Sequence, residues 1–155
     1  MAGKDPHGPN RLSNYFNVHD KVMRDLVDRQ FVLSDDLAVS PFGNGYLIMQ
    51  GTVQCLGDIE VTVEKLLILA DLKSGEPTVQ TVEYRYNARI RGVGNIVRHD
   101  GPHSTHNQFH HVHRYDVFNG DEEGTVEECE WPTLGQMLYD LEEWFYANDD
   151  EFRRG

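Results

Sequence analysis

Cysteine is nearly absent. Cys55 falls in a strand-like stretch and Cys129 in an acidic segment, with no CxxC spacing, so reduced thiols are expected rather than a disulfide framework or a thiolate metal site. Long apolar runs are missing too. Nothing reaches the ~18 residues of a membrane span, and the best run, LLILA at 66–70, is strand-sized. The opening MAGKDPHGPNRLSN contains no apolar h-region, which gives no sign of a secretory leader and leaves a cytoplasmic protein as the expectation. Lysine is scarce, with 14 Lys and Arg together, mostly Arg, against 26 Asp and Glu. Acid-rich, Lys-poor surfaces suit concentrated salt, so a halophilic archaeal source fits, and part of the acidity then serves solubility.

The missing bases are unevenly missing. Residues 116–151 hold acids and no Lys or Arg at all, so most of the net charge of -12 belongs to that quarter. Residues 85–114 are the reverse, with Arg85, Arg89, Arg91, Arg98 and Arg114 against Asp100 alone. Such a segment attracts anions whatever the whole chain carries.

At 155 residues the chain suits one domain. A lead-in over residues 1–12, rich in Pro and Gly, is expected to be disordered, and 13–155 to form a single α+β domain with its acidic quarter at 116–151. SNYFNVHDKVMRDLVDRQ spaces Val18, Val22 and Leu26 at helical intervals, with Ser13 or Asn14 as the cap. Strand texture follows: Phe31–Leu33, a PFGNG turn, then Tyr46 to Cys55, Ile59 to Leu72, Thr78 to Ile90 and Asn95 to Asp100, with a fifth short strand over 109–117. DVFNGDEEG reads as a loop. Thr133, with Gln136 three positions on, opens a final amphipathic helix carrying Leu134, Leu138, Leu141 and Phe145 on one face. The expected fold is an antiparallel sheet of four to five strands flanked by an N-terminal and a C-terminal helix.

HDGPHSTHNQFHHVH, residues 99–113, concentrates the histidines inside the basic segment. Period-two alternation puts His111 and His113 on one side of a strand and His110 on the other. Gly101-Pro102 turns the chain so that His103 can return beside Asp100, and Arg98 shares the face of Asp100. Three chemistries remain open. A neutral and a protonated imidazole can act as base and acid at an RNA phosphodiester whose own 2′-hydroxyl is the nucleophile, with Arg85, Arg98 and Arg114 holding phosphate. Alternatively His103, His111, His113 and Asp100 can ligate zinc or a similar divalent ion and make a metal-dependent hydrolase, although the spacing matches no standard signature. The third reading is a non-enzymatic acidic module whose tail engages a basic partner. His7, His19 and His106 read as solvated side chains. Tyr84 and Tyr86 read more readily as sheet packing than as base-stacking platforms, with Tyr86 retained as a substrate-binding candidate.

The succession EYRYN (83–87), IVRHDGPH (96–103) and FHHVHR (109–114), followed by an acidic stretch and a helix, resembles the TumE-like family of toxin components from prokaryotic toxin–antitoxin pairs, over about residues 45–147. The matching positions are Arg85 and Tyr86, then Arg98, Asp100, Pro102 and His103, then His110, His111 and His113. The chain departs at His99, where the pattern has an aromatic, at Gly101, which replaces Asn-Ala, and at Asn87, which replaces a His. The resemblance implies a growth-arresting toxin acting through RNA, paired with a helix-turn-helix antitoxin. The expected site is thus His111 and His113 as acid and base, Asp100 orienting one of them, His103 as a further member, and Arg85, Arg98, Tyr86 and Arg114 binding substrate, with a homodimer also compatible.

Overall fold

The computed structural model describes residues 10–73, 75–101, 111–117, 121–128 and 133–148, with backbone alone at His111 and at 121–128. In chain order these form β1 (Asn10–Arg11), α1 (Leu12–Asp28), β2 (Val32–Asp35), β3 (Ala38–Gly43), β4 (Tyr46–Cys55), β5 (Ile59–Ala70), β6 (Thr78–Ile90), β7 (Gly94–Asp100), β8 (His111–Asp116), β9 (Asp121–Glu128) and α2 (Leu134–Ala147). The chain is α+β. Its strands make one antiparallel sheet in the order β2-β4-β5-β6-β7-β8-β9, with β3 also on β4 and β1 on β6.

Nine strands exceed the four to five expected. The short runs around Phe31 and Pro41 conceal two of the extra strands, β2 and β3. A third, β9, lies partly in residues read as a loop, where DEEGTVEE pairs with β8 despite its low intrinsic strand preference. Asn10 and Arg11 already belong to the sheet, inside the stretch read as a lead-in; residues 1–9 lie outside the described residues.

The long strands follow from alternation. On β5 and β6 the residues Ile59, Val61, Val63, Tyr84, Tyr86, Ala88 and Ile90 are buried on one face. Against them pack Met23 and Leu26 of α1 and Leu134, Met137, Leu138, Leu141 and Phe145 of α2. Fully burying a side chain such as Leu26 or Leu138 contributes about 1.5–3 kcal/mol each.

The helices therefore do not flank the sheet as expected. They share one face and touch each other: Tyr139 Oη donates to Asp25 Oδ2 at 2.5 Å, and Arg29 Nη2 donates to Glu142 Oε1 at 2.5 Å. Gly135 makes their approach possible, since a Cβ there would come within 2.7 Å of Val22 Cγ1. The reason lies in the other face, which is polar: Gln50, Glu64 and Arg85 stand in register across β4, β5 and β6, as do Thr52, Thr62 and Asn87. That surface has little for an apolar helix to cover.

The ends of the helices differ in how they are capped. Thr133 Oγ1 accepts from Gln136 N at 3.0 Å, the expected cap, while the Gln136 side chain turns forward to Asp140 at 3.0 Å. For α1 neither Ser13 nor Asn14 caps. The helix begins earlier, at Leu12, and Ser13 N donates to Glu76 Oε1 at 3.0 Å, so a carboxylate from beyond the sheet supplies the N-terminal acceptor.

Candidate functional site

Strand register assembles the site on the face opposite α1 and α2, which carries no helix among the described residues. Arg85 of β6 lies opposite Asp100 of β7, Arg98 of β7 lies opposite His113 of β8, and His111 lies opposite Asp100. Directly opposed residues project to the same side of a sheet, so residues far apart in sequence meet there.

Asp100 is the centre. Its side chain is 2% exposed; Oδ1 accepts from Arg85 Nε at 3.1 Å and Oδ2 from Arg98 Nε at 3.0 Å. The two arginine side chains remain 56% and 36% exposed. Arg98 Nη2 reaches His113 Nε2 at 2.9 Å, and the same nitrogen lies 3.6 Å from Asp100 Oδ2. A buried anion thus holds two half-exposed cations side by side, with a half-buried imidazole against one of them. The two guanidiniums outnumber the one carboxylate they share, with Glu64 of β5 bordering them opposite Arg85, and guanidinium geometry suits the paired oxygens of a phosphate.

Gly101 makes the end of β7 fit. Its N–H donates to Tyr84 O at 2.9 Å, and a Cβ at this position would meet Tyr84 Cε1 at 2.2 Å and Cδ1 at 2.3 Å. Glycine at this position is therefore required by the tyrosine ring beside it.

Arg85, Arg98, Asp100 and His113 come together, with the His111 backbone at the adjoining register position. Pro102, His103, His106 and His110, like Cys129, lie outside the described residues. Tyr86 and Arg114 do not join. Tyr86 is fully buried in the core, and Arg114 lines a separate cavity of about 260 Å³ with His99, Asp140 and Trp144 on the helix side of the sheet. Each follows a site residue by one position, which turns it to the opposite face.

His99 sits in that second cavity. Burial, and then the nearby Arg114 charge, push its pKa down to about 4, and its Nδ1 is buried without a hydrogen-bond partner among the described residues. Cys55 is a free buried thiol, pushed up to about 12 by burial, which leaves it protonated and inert.

Both oxygens of Asp100 accept from guanidinium groups. Among the described residues no cluster of three His, Cys, Asp or Glu is placed to hold a metal ion, and two of the expected ligands, His103 and the His111 side chain, lie outside what is described. Among the described residues no helix is long and apolar enough to cross a membrane. No family model, no curated protein and no solved structure matches the chain.

Sequence reasoning passed over one residue, Lys65. It interrupts the apolar file Ile59, Val61, Val63, Leu67 on the buried side of β5, and a charge in a buried period-two position is a signal in itself.

Proposed function

We propose that the helix-free face binds and cleaves RNA, and that the chain is a toxin-like component of a toxin–antitoxin pair, with an antitoxin as partner. The observation that supports this reading is the single buried Asp100 holding Arg85 and Arg98 beside His113.

In this reading the scissile phosphate lies on the two guanidinium groups, which stabilise the charge that builds on its non-bridging oxygens. His113 Nε2 removes the proton of the 2′-hydroxyl, the 2′-oxygen attacks the adjacent phosphorus, and the 5′-oxygen leaves with a proton from a second imidazole, the role assigned to His111 or His103. A 2′,3′-cyclic phosphate and a free 5′-hydroxyl are the products, with no metal required. Asp100 positions the two arginines and does not touch the substrate. The antitoxin rests on the family resemblance alone.

The test is cleavage of a defined single-stranded RNA by the full chain and by His113→Ala. The variant is expected to keep its circular dichroism spectrum and melting transition and to lose cleavage. Undiminished cleavage with the same end groups would remove His113 from the mechanism. Equal cleavage of the all-deoxy substrate would remove the 2′-hydroxyl.

A further inference from the structure

Lys65 lines a cavity that the RNA-cleavage reading does not use. The cavity, about 310 Å³, opens between α1, the start of α2 and β5. Its polar lining includes Lys65, Tyr15 and Asn14, and its apolar lining Val18, Val22 and Leu134. The volume is at the small end of the range for small-molecule sites.

The lysine is 7% exposed, yet its ammonium is thinly compensated. Nζ donates to Tyr15 Oη at 3.1 Å and stands 5.5 Å and 5.8 Å from the ring centroids of Tyr15 and Tyr86. Among the described residues, no carboxylate makes an ion pair with it. The hydroxyl of Tyr86, whose ring Lys65 Nζ stands over, is also buried without a hydrogen-bond partner among the described residues. Two aromatic faces and one hydroxyl replace only part of the hydration that a buried ammonium gives up, and burial of an unpaired charge is otherwise avoided.

We propose that this cavity binds an amphipathic monoanion, a medium-chain carboxylate, with its head group on Lys65 Nζ and its tail along Val18, Val22 and Leu134. One carboxylate matches one ammonium in charge, and the Tyr15 hydroxyl supplies a second donor. A phosphate dianion would find a poorer match: the other basic group of the lining, His19, is partly buried rather than solvated as the sequence suggested, and burial first and the Lys65 charge second disfavour its protonated form. The apolar wall selects a hydrocarbon tail over a sugar or a polar chain.

Sodium octanoate is the probe, with octanol and octylamine as neutral and cationic partners of the same tail, titrated calorimetrically into the full chain, Lys65→Met and Val18→Trp. Octanoate is expected to bind saturably at one site and at least tenfold more tightly than octanol or octylamine. Lys65→Met, which keeps the apolar stem, loses that preference and melts no lower than the parent without ligand, because it has no ammonium to desolvate. Val18 is 55% exposed, so Val18→Trp folds while narrowing the cavity mouth, and it weakens octanoate by a similar factor. The proposal is overturned if octanoate shows no saturable binding, if octanol binds as tightly, or if Val18→Trp leaves binding unchanged. The comparison with octanol and the Val18 variant decide the matter even if Lys65→Met does not fold.

Discussion

Arg98 Nη2 stands 2.9 Å from His113 Nε2. A guanidinium can only donate, so in this contact the imidazole nitrogen accepts, and the ring carries its proton on Nδ1. The acceptor lone pair is the one a general base needs. A phosphate drawing Arg98 toward itself would release that lone pair beside the substrate.

Arg98→Met should therefore do more than weaken binding. It removes a phosphate ligand and the group that orients His113, and cleavage at saturating RNA is expected to fall about 100-fold, the order seen when a preorganised charge stabiliser is removed. Single-turnover kinetics separates the two effects. A variant that recovers full single-turnover rate at high enzyme concentration would make Arg98 a binding residue only.

Asp100→Asn tests positioning against contact. The amide is nearly isosteric, but it no longer holds two cations, and the loss of charge-assisted bonds at a side chain 2% exposed is expected to cost about 1–3 kcal/mol of stability. The face gains a positive charge, so RNA affinity in a mobility-shift assay stays level or rises. Cleavage is expected to drop about 10- to 100-fold through misplaced guanidiniums. Parallel loss of affinity and cleavage would mean that Asp100 does not act through the arginines.

Arg85→Gln removes one of the two cations together with its bond to Asp100. Arg85 bonds Asp100 through Nε, and its terminal nitrogens make no hydrogen bond among the described residues, so they are open to a phosphate. Removing one phosphate contact should reduce the slope of log affinity against log salt by about 1. An unchanged slope would place the RNA elsewhere.

Much of this arrangement was legible in the sequence. Tyr46–Cys55 and Thr78–Ile90 run as strands between the same residues that alternation marked, since long half-buried strands write their period clearly. Arg98, Asp100 and His113 meet because residues two apart share a face and β8 returns beside β7. The same rule contained the answer for Tyr86 and Arg114, one step out of phase with Arg85 and His113, but it does not say which face the helices cover. Short β2 and β3 lacked the length to show a period. Acidic β9 is a strand through its partner rather than through its own residues, and Asp100's burial depends on cross-strand pairs that no local window contains.

Gly101→Ala should disturb the site from outside it. A methyl at this position would need the Tyr84 ring, buried in the core, to move from 2.2 Å to contact distance. Overpacking of this kind costs about 1–3 kcal/mol, and the strain falls next to Asp100. Urea denaturation is expected to show the lower midpoint with an unchanged slope. A variant as stable as the parent would show that the ring yields freely.

His99 makes the fold less stable in acid. Its pKa is pushed down to about 4 by burial first and the Arg114 charge second, against an unfolded value of 6.5. A histidine whose folded pKa is lowered binds its proton more readily in the unfolded chain, so its neutral burial is fully tolerated above pH 6.5 and becomes a penalty as pH falls from there toward 4. The depression corresponds to up to about 3 kcal/mol across that window. His99→Phe keeps a ring of similar size in the cavity and cannot be protonated, so its stability should stay flatter between those limits than the parent's. Chemical denaturation at half-unit pH steps measures the difference. Identical acid limbs for the two proteins would show that His99 is hydrated in the native state and that another group governs the loss.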